Sequence, residues 1–193
     1  MSKILYWPGI GQNLEILKIL RDKLIKSGNQ VDNINFLYDD KKELDPSKWK
    51  ILDKKYDWWI GLSLGASLLY YSYEFVREEN KPKRITIINP FSSRKKLSCE
   101  KKFNLDGQWD FSPINSRVNV ETIDLVSSMY DDKIPSYHGF ELLNNAISKN
   151  KNLILVRDNH TIDNVEVQIE LANLLIRGEN SNETNFYCNI YKQ

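Results

Sequence analysis

Short apolar runs alternate along the chain with segments in which apolar residues recur every three or four positions. The short runs have the length and the β-branched or aromatic content of strands, and they occupy 3–7, 31–37, 57–62, 84–89, 122–128 and 152–156. Helical periodicity is found at 14–26, 46–52, 66–79, 138–148 and 163–176. This alternation predicts an α/β fold, with a predominantly parallel sheet that carries helices on both faces.

Two parts of the chain depart from the alternation. The stretch 91–119 has no clear period, and residues 185–191 alternate enough to predict an edge strand or a docked extension. No repeat, low-complexity tract or linker divides the chain, whose 193 residues are the size of one domain. We therefore expect a single domain over 1–193.

Composition narrows the possible functions. The net charge of +1, from 27 basic and 26 acidic residues, gives no reason to expect nucleic acid as a partner. The 2 cysteines form no CxxC pair and there is no metal-ligand spacing, so we expect free thiols, no metal and no cofactor. The longest uncharged run, 58–73, is shorter than the ~20 residues of a membrane-spanning helix. These observations predict a cytoplasmic protein without a membrane span.

The sharpest chemical signal is Gly61-Leu62-Ser63-Leu64-Gly65, where a predicted strand passes directly into a predicted helix. A turn this tight strains the serine, and glycines two positions to either side avoid clashes with it. The hydroxyl of Ser63 then stands above the carboxyl edge of the sheet, at the positive end of the helix. The pattern indicates a nucleophile. The alternative is a helix-capping serine flanked by packing glycines.

This G-x-S-x-G segment resembles the nucleophile motif of the α/β-hydrolase superfamily, and the order of strands and helices agrees from Lys3 to Ile176. The resemblance implies a small serine hydrolase of the esterase or thioesterase type. It also implies the chain order of serine, then acid, then histidine.

The two histidines are the candidate bases. His160 follows the last predicted strand, in Arg157-Asp158-Asn159-His160-Thr161, where the family places its catalytic histidine. An imidazole there can take the proton from the serine hydroxyl. His138 lies at the start of a predicted helix and would reverse the expected order, so we interpret it as structural or exposed.

The segment from Ser128 to Pro135 resembles the G-x-x-D-x-x-V-P turn that carries the acid in this family, with Ser128 in place of glycine. In that register Asp131 orients the histidine, and the adjacent Asp132 is the alternative. The resemblance also implies two oxyanion donors, the backbone N–H groups of Leu64 and Ile10. Pro8 stands where the family commonly has histidine.

The family usually inserts a lid where this chain has 91–119, so the resemblance implies a short flap over the site. Its aromatic residues are either pocket walls or ordinary core, and they include Phe91, Phe103, Trp109 and Phe111. A reduced flap suits a small-molecule acyl group, or one presented on a carrier. The predicted reaction is cleavage of an ester or thioester through an acyl-enzyme on Ser63. A non-catalytic binding protein of the same fold and an acyltransferase are the alternatives.

Overall fold

The computed structural model describes residues 1–9, 13–35, 46, 49–101, 111–178 and 186–188. Within them the strands are β1 (Lys3–Trp7), β2 (Gln30–Asn33), β3 (Trp58–Leu62), β4 (Arg84–Ile88), β5 (Asn119–Ser128), β6 (Ile147–Val156) and β7 (Phe186–Cys188). The α-helices are α1 (Lys18–Lys26), α2 (Leu64–Ser72), α3 (Arg94–Lys101), α4 (Tyr137–Asn145) and α5 (Val165–Gly178). Short 3₁₀ turns occupy Lys50–Asp53, Tyr73–Phe75, Glu78–Asn80 and Pro113–Asn115.

The described strands form one sheet in the order β2-β1-β3-β4-β5-β6-β7. Every neighbouring pair is parallel. Parallel neighbours need crossover connections, and the helices supply them. The predicted α/β class and parallel sheet are therefore confirmed, and β7 is the edge strand predicted from 185–191.

Helices cover both faces of the sheet, and strand side chains alternate between the two cores. In β1, Leu5 and Trp7 belong to the core beneath α2 and α4, whereas Ile4 and Tyr6 belong to the core beneath α1 and α5. Burial on both faces explains why the central strands read as continuous apolar runs. The carboxyl ends of all these strands meet at one edge of the sheet, which fixes where the connecting loops gather.

Several boundaries differ from the sequence prediction. The helix predicted over 66–79 ends at Ser72 and continues as 3₁₀ turns. β6 begins at Ile147, inside the helix predicted over 138–148, because its polar first half pairs with β5 from Asn119 onwards. The aperiodic stretch 91–119 contains the polar helix α3. Since 102–110 lie outside the described residues, the flap stays a prediction. No described helix is long and apolar enough to cross a membrane.

Candidate active site

Ser63 occupies the turn between β3 and α2 with a strained backbone. Its φ of 53° and ψ of −120° lie in a region that residues with a Cβ rarely adopt. Such a conformation costs on the order of 1–3 kcal/mol and persists only where the surroundings enforce it. The Ser63 N–H donates to the carbonyl of Ile88 at 2.8 Å, and the Ser63 carbonyl accepts from the N–H of Ser67 at 3.1 Å. The turn is thus held by the neighbouring strand and by the first turn of α2.

The two glycines of the motif are required by close backbone approach. A Cβ at Gly61 would lie 2.6 Å from Cα of Ala66, so the end of β3 could not meet α2. A Cβ at Gly65 would lie 2.2 Å from the carbonyl oxygen of Pro8. Gly65 therefore lets α2 contact the end of β1. These contacts favour the tight-turn interpretation of the motif over a capping serine with incidental glycines.

His160 lies in the loop between β6 and α5, and its ring reaches the serine. Nε2 of His160 is 2.8 Å from Oγ of Ser63. Its other ring nitrogen, Nδ1, is 2.7 Å from Oδ2 of Asp131. A carboxylate only accepts hydrogen bonds, so in the neutral imidazole the proton lies on Nδ1 and Nε2 accepts from the serine hydroxyl.

Asp131 lies in the loop after β5 and is held on both oxygens. Oδ1 accepts from the backbone N–H groups of Lys133 at 2.8 Å and Ile134 at 2.9 Å, which leaves Oδ2 for His160. Its side chain is 4% exposed. Asp132 points away: it is 69% exposed and pairs with Lys133 at 3.0 Å. The hydrogen bond from Lys133 holds the pKa of the Asp132 carboxyl below its ordinary value. The structure thus brings together Ser63, His160 and Asp131.

Of the two predicted oxyanion donors, Leu64 and Ile10, the structure describes Leu64. Leu64 is the first residue of α2, where a backbone N–H has no acceptor inside the helix and the helix dipole is positive. The loop after β1 passes beside the serine, since a Cβ at Gly9 would lie 3.7 Å from Cβ of Ser63. Ile10, the second predicted donor, lies outside the described residues and stays a prediction.

Comparison with known proteins bears on this arrangement. No protein-family model matches the sequence, and a search of curated proteins gives no match. Solved structures do match. Mouse alpha/beta hydrolase domain-containing protein 10 is 15% identical, with a TM-score of 0.69 over 92% of this chain and 89% of that one. Est1E from Butyrivibrio proteoclasticus, solved with ferulic acid bound, is 14% identical, with a TM-score of 0.68 over 94% and 90%.

The esterase domain of a Rhodothermus marinus protein is 13% identical, with a TM-score of 0.63 over 90% of this chain and 84% of that one. The chain has the α/β-hydrolase fold. Ser63 lies between β3 and α2, Asp131 in the loop after β5 and His160 in the loop after β6, in the chain order of serine, acid and histidine that the sequence predicts.

The predicted pocket aromatics divide into two groups. Phe91 and Phe111 are 3% and 4% exposed, and their rings lie 5.5 Å apart within the core beneath α2. The structure therefore supports the alternative that they are core residues. Phe103 and Trp109 lie outside the described residues.

His138 is buried and does not serve Ser63. Its Nδ1 is 2.8 Å from Oγ of Ser92, which also contacts the carboxylate of Glu141 at 2.5 Å. Lys96 on α3 lies 2.6 Å from the other oxygen of Glu141. Burial raises the pKa of Glu141, but the hydrogen bonds from Lys96 and Ser92 outweigh this and hold it below its ordinary value. Of the two predictions for His138, a structural position is the one observed.

Ser92 is buried like His138, whereas the side chains of Lys96 and Glu141 are 41% and 38% exposed. The sequence did not indicate this group, because Ser92, Lys96 and Glu141 are common residue types far apart in the chain. In the part of the chain that the structure describes, no group of three His, Cys, Asp or Glu side chains could hold a metal ion.

Proposed function

We propose that the protein is a serine hydrolase that cleaves an acyl ester or thioester through an acyl-enzyme on Ser63. His160 acts as general base and Asp131 as the orienting acid. The observation that carries the proposal is the unbroken line of contacts from Ser63 Oγ to His160 Nε2, at 2.8 Å, and from His160 Nδ1 to Asp131, at 2.7 Å. The three side chains come from three separate loops. Packing within any one loop therefore does not account for their alignment.

In the first half-reaction Oγ of Ser63 attacks the carbonyl carbon while Nε2 of His160 takes the hydroxyl proton. The carbonyl oxygen becomes an oxyanion that accepts from the N–H of Leu64 and, in the proposal, from that of Ile10. When the tetrahedral intermediate collapses, the bond to the leaving oxygen or sulfur breaks. The leaving group takes the proton from the imidazolium and departs as an alcohol or thiol.

In the second half-reaction water takes the place of the serine hydroxyl. His160 removes a proton from water as the water oxygen attacks the acyl carbon. When the second tetrahedral intermediate collapses, the bond between Oγ and the acyl carbon breaks, His160 returns the proton to Oγ of Ser63 and the carboxylic acid departs. Asp131 stabilises the imidazolium in both halves. Its second oxygen is fixed by two backbone N–H groups, so the carboxylate is held in the orientation that the imidazole needs.

The names of the structural neighbours support ester chemistry, since the similar proteins include an esterase domain and an α/β-hydrolase domain protein. A thioester passes through the same acyl-enzyme, and the short stretch 91–119 suits a small or carrier-presented acyl group. A cytoplasmic location is part of the same proposal, based on the free thiols expected from the sequence.

The proposal is tested by measuring the hydrolysis of p-nitrophenyl esters from acetyl to octanoyl, and of matching acyl thioesters. We expect turnover of the short acyl chains, because an imidazole in contact with the serine can take its proton. His160→Ala should lose this activity. His138→Gln, compared per folded molecule, should keep it.

Added alcohol separates a hydrolase from an acyltransferase, because a transferase would give the new ester as its main product. Absence of turnover with every ester and thioester would contradict the proposal and favour a binding protein of the same fold.

A further inference from the structure

Asn89, the first residue after β4, combines burial with an unusual backbone conformation. It is 4% exposed and has a φ of 47°, in the left-handed region. Asparagine tolerates this region better than most residues, but glycine adopts it with no steric cost. Backbone geometry alone therefore favours glycine at this position. The presence of asparagine has to be explained by the contacts of its side chain.

The side-chain amide of Asn89 is fully engaged. Nδ2 donates to the backbone carbonyl of His160 at 2.7 Å and to Oγ of Ser128 at 2.8 Å. Oδ1 accepts from the backbone N–H of Ser128 at 2.8 Å. Both amide hydrogens and the carbonyl oxygen are thus used in a buried place, where each lost bond leaves an unsatisfied group.

These bonds connect the loops that carry Asp131 and His160, and the residue before Asn89 contacts the turn that carries Ser63. Ser128 ends β5 and begins the acid loop, where its carbonyl accepts from the N–H of Asp131 at 3.4 Å. Ile88, the residue before Asn89, accepts from the N–H of Ser63 at 2.8 Å. Asn89 therefore lies between the turn of Ser63 and the loop of Asp131, and its side chain donates to the backbone of His160.

We propose that Asn89 is a positioning residue that fixes the backbone of His160 relative to the Asp131 loop, so that the imidazole meets both Ser63 and Asp131. The inference rests on the proposed function. Asn89 contacts no reacting atom, and its effect is transmitted through the position of His160. A displacement of about 1 Å in a catalytic group can cost on the order of 10²-fold in rate.

The test compares Asn89→Gly with a matched control, Asn29→Gly. Asn29 is also buried and makes the same three kinds of bond: it accepts from the N–H of Ser2 at 2.8 Å and donates to the Leu24 carbonyl at 3.2 Å and to Oγ of Ser27 at 3.0 Å. It lies next to the start of β2, at the opposite edge of the sheet. Both variants lose an equivalent amide, but only one loses contact with His160.

Glycine keeps the left-handed backbone of Asn89, so only the side-chain role is removed. We expect Asn89→Gly to lower kcat on a short p-nitrophenyl ester by about 10²-fold, with KM within about twofold. Asn29→Gly should keep the wild-type kcat per folded molecule. Asn89→Ala should lose as much kcat as Asn89→Gly. It should unfold at a lower denaturant concentration than Asn89→Gly, because alanine has a Cβ, which the left-handed backbone disfavours, and glycine has none.

A second readout needs no substrate. The proton on Nδ1 of a histidine that is bonded to a carboxylate gives a proton NMR resonance far downfield, and the pair His160–Asp131 should give one. We expect this resonance in the wild type and in Asn29→Gly, and its loss or upfield shift in Asn89→Gly. If the wild type hydrolyses no ester, the proposed function fails, while the resonance still tests the positioning. Wild-type kcat together with an unchanged resonance in Asn89→Gly would overturn the inference.

Discussion

Asp131 and Asp124 are both buried carboxylates on or just after β5, yet the structure surrounds them differently. Asp124 lies within the strand, 1% exposed, where its Oδ2 accepts from the Arg84 guanidinium and from the Thr86 hydroxyl, each at 2.7 Å. Its Oδ1 accepts from the amide of Asn152 at 2.7 Å. Arg84 in turn donates to the carbonyl of Leu175 in α5 at 2.8 Å. This network connects three strands and one helix through a permanent charge pair.

The network around Asp131 includes His160 and Ser63. Its carboxylate has a histidine as partner, whereas the partner of Asp124 is an arginine with a permanent charge. One oxygen of Asp131 is fixed by backbone N–H groups, and the other contacts the imidazole of His160, whose side chain is 14% exposed and whose far nitrogen contacts Ser63. The backbone around it is strained, with positive φ at Ser63 and Asn89. An arginine cannot release its proton in a protein, whereas a histidine can. The carboxylate inside the sheet therefore has a partner of fixed charge, whereas the carboxylate at the sheet's edge has a partner of a residue type that can gain or lose a proton.

We expect the largest effect from a substitution at Ser63, the residue of this network that lies farthest from Asp131. Ser63→Ala removes the proposed nucleophile but none of the contacts between His160 and Asp131. We expect kcat on a short acyl ester to fall by on the order of 10⁶-fold. The midpoint of urea unfolding should stay close to that of the wild type. Retention of more than a few per cent of activity in the purified variant would exclude Ser63 as the nucleophile.

The next effect separates the two neighbouring aspartates. Asp131→Asn keeps the size of the side chain but leaves His160 in the wrong tautomer, and we expect kcat to fall by about 10⁴-fold. Asp132→Asn, at an exposed side chain paired with Lys133, should cost less than about tenfold. Steady-state kinetics at one pH measures both. Equal losses in the two variants would show that the acid is not Asp131.

The same substitution at Asp124 should affect stability instead. Asp124→Asn leaves the Arg84 charge buried without its counter-charge, and breaking such a pair costs about 3–5 kcal/mol of unfolding free energy. Urea unfolding measures this loss, and kcat per folded molecule should stay within about twofold of the wild type. A fall in kcat comparable to that of Asp131→Asn would show that the networks around Asp124 and Asp131 are coupled and not independent.

Sequence reasoning succeeds here where the signal is local. The alternation of apolar runs and helical segments is enough for the fold class, because a sheet covered on both faces needs continuous apolar strands. Ser63, His160 and Asp131 lie in short patterns next to strand ends, and parallel strands bring such ends to one edge. The contact between Asp131 and His160, rather than between Asp132 and His160, follows from the local turn, in which Asp131 bonds to the N–H groups of Lys133 and Ile134.

The rest depends on contacts that the sequence does not display. β6 begins early at Ile147 because β5 offers it a pairing partner, although Ser148 and Asn150 look polar and irregular. Asn89 before Pro90 looks like an ordinary strand end, and only the three-dimensional arrangement shows its bonds to Ser128 and His160. Long-range hydrogen bonds made by side chains produce no periodic pattern of apolar and polar residues in the sequence.

Activation of Ser63 is tested most directly by labelling with a fluorophosphonate probe, followed by mass spectrometry of the modified peptide. The probe reacts quickly only with an activated serine, so we expect one label per chain, on Ser63, in the folded wild type. His160→Ala should slow the labelling strongly, and urea-denatured protein should not react. A folded wild type that takes no label, or takes it on another serine, would show that Ser63 is not an activated nucleophile.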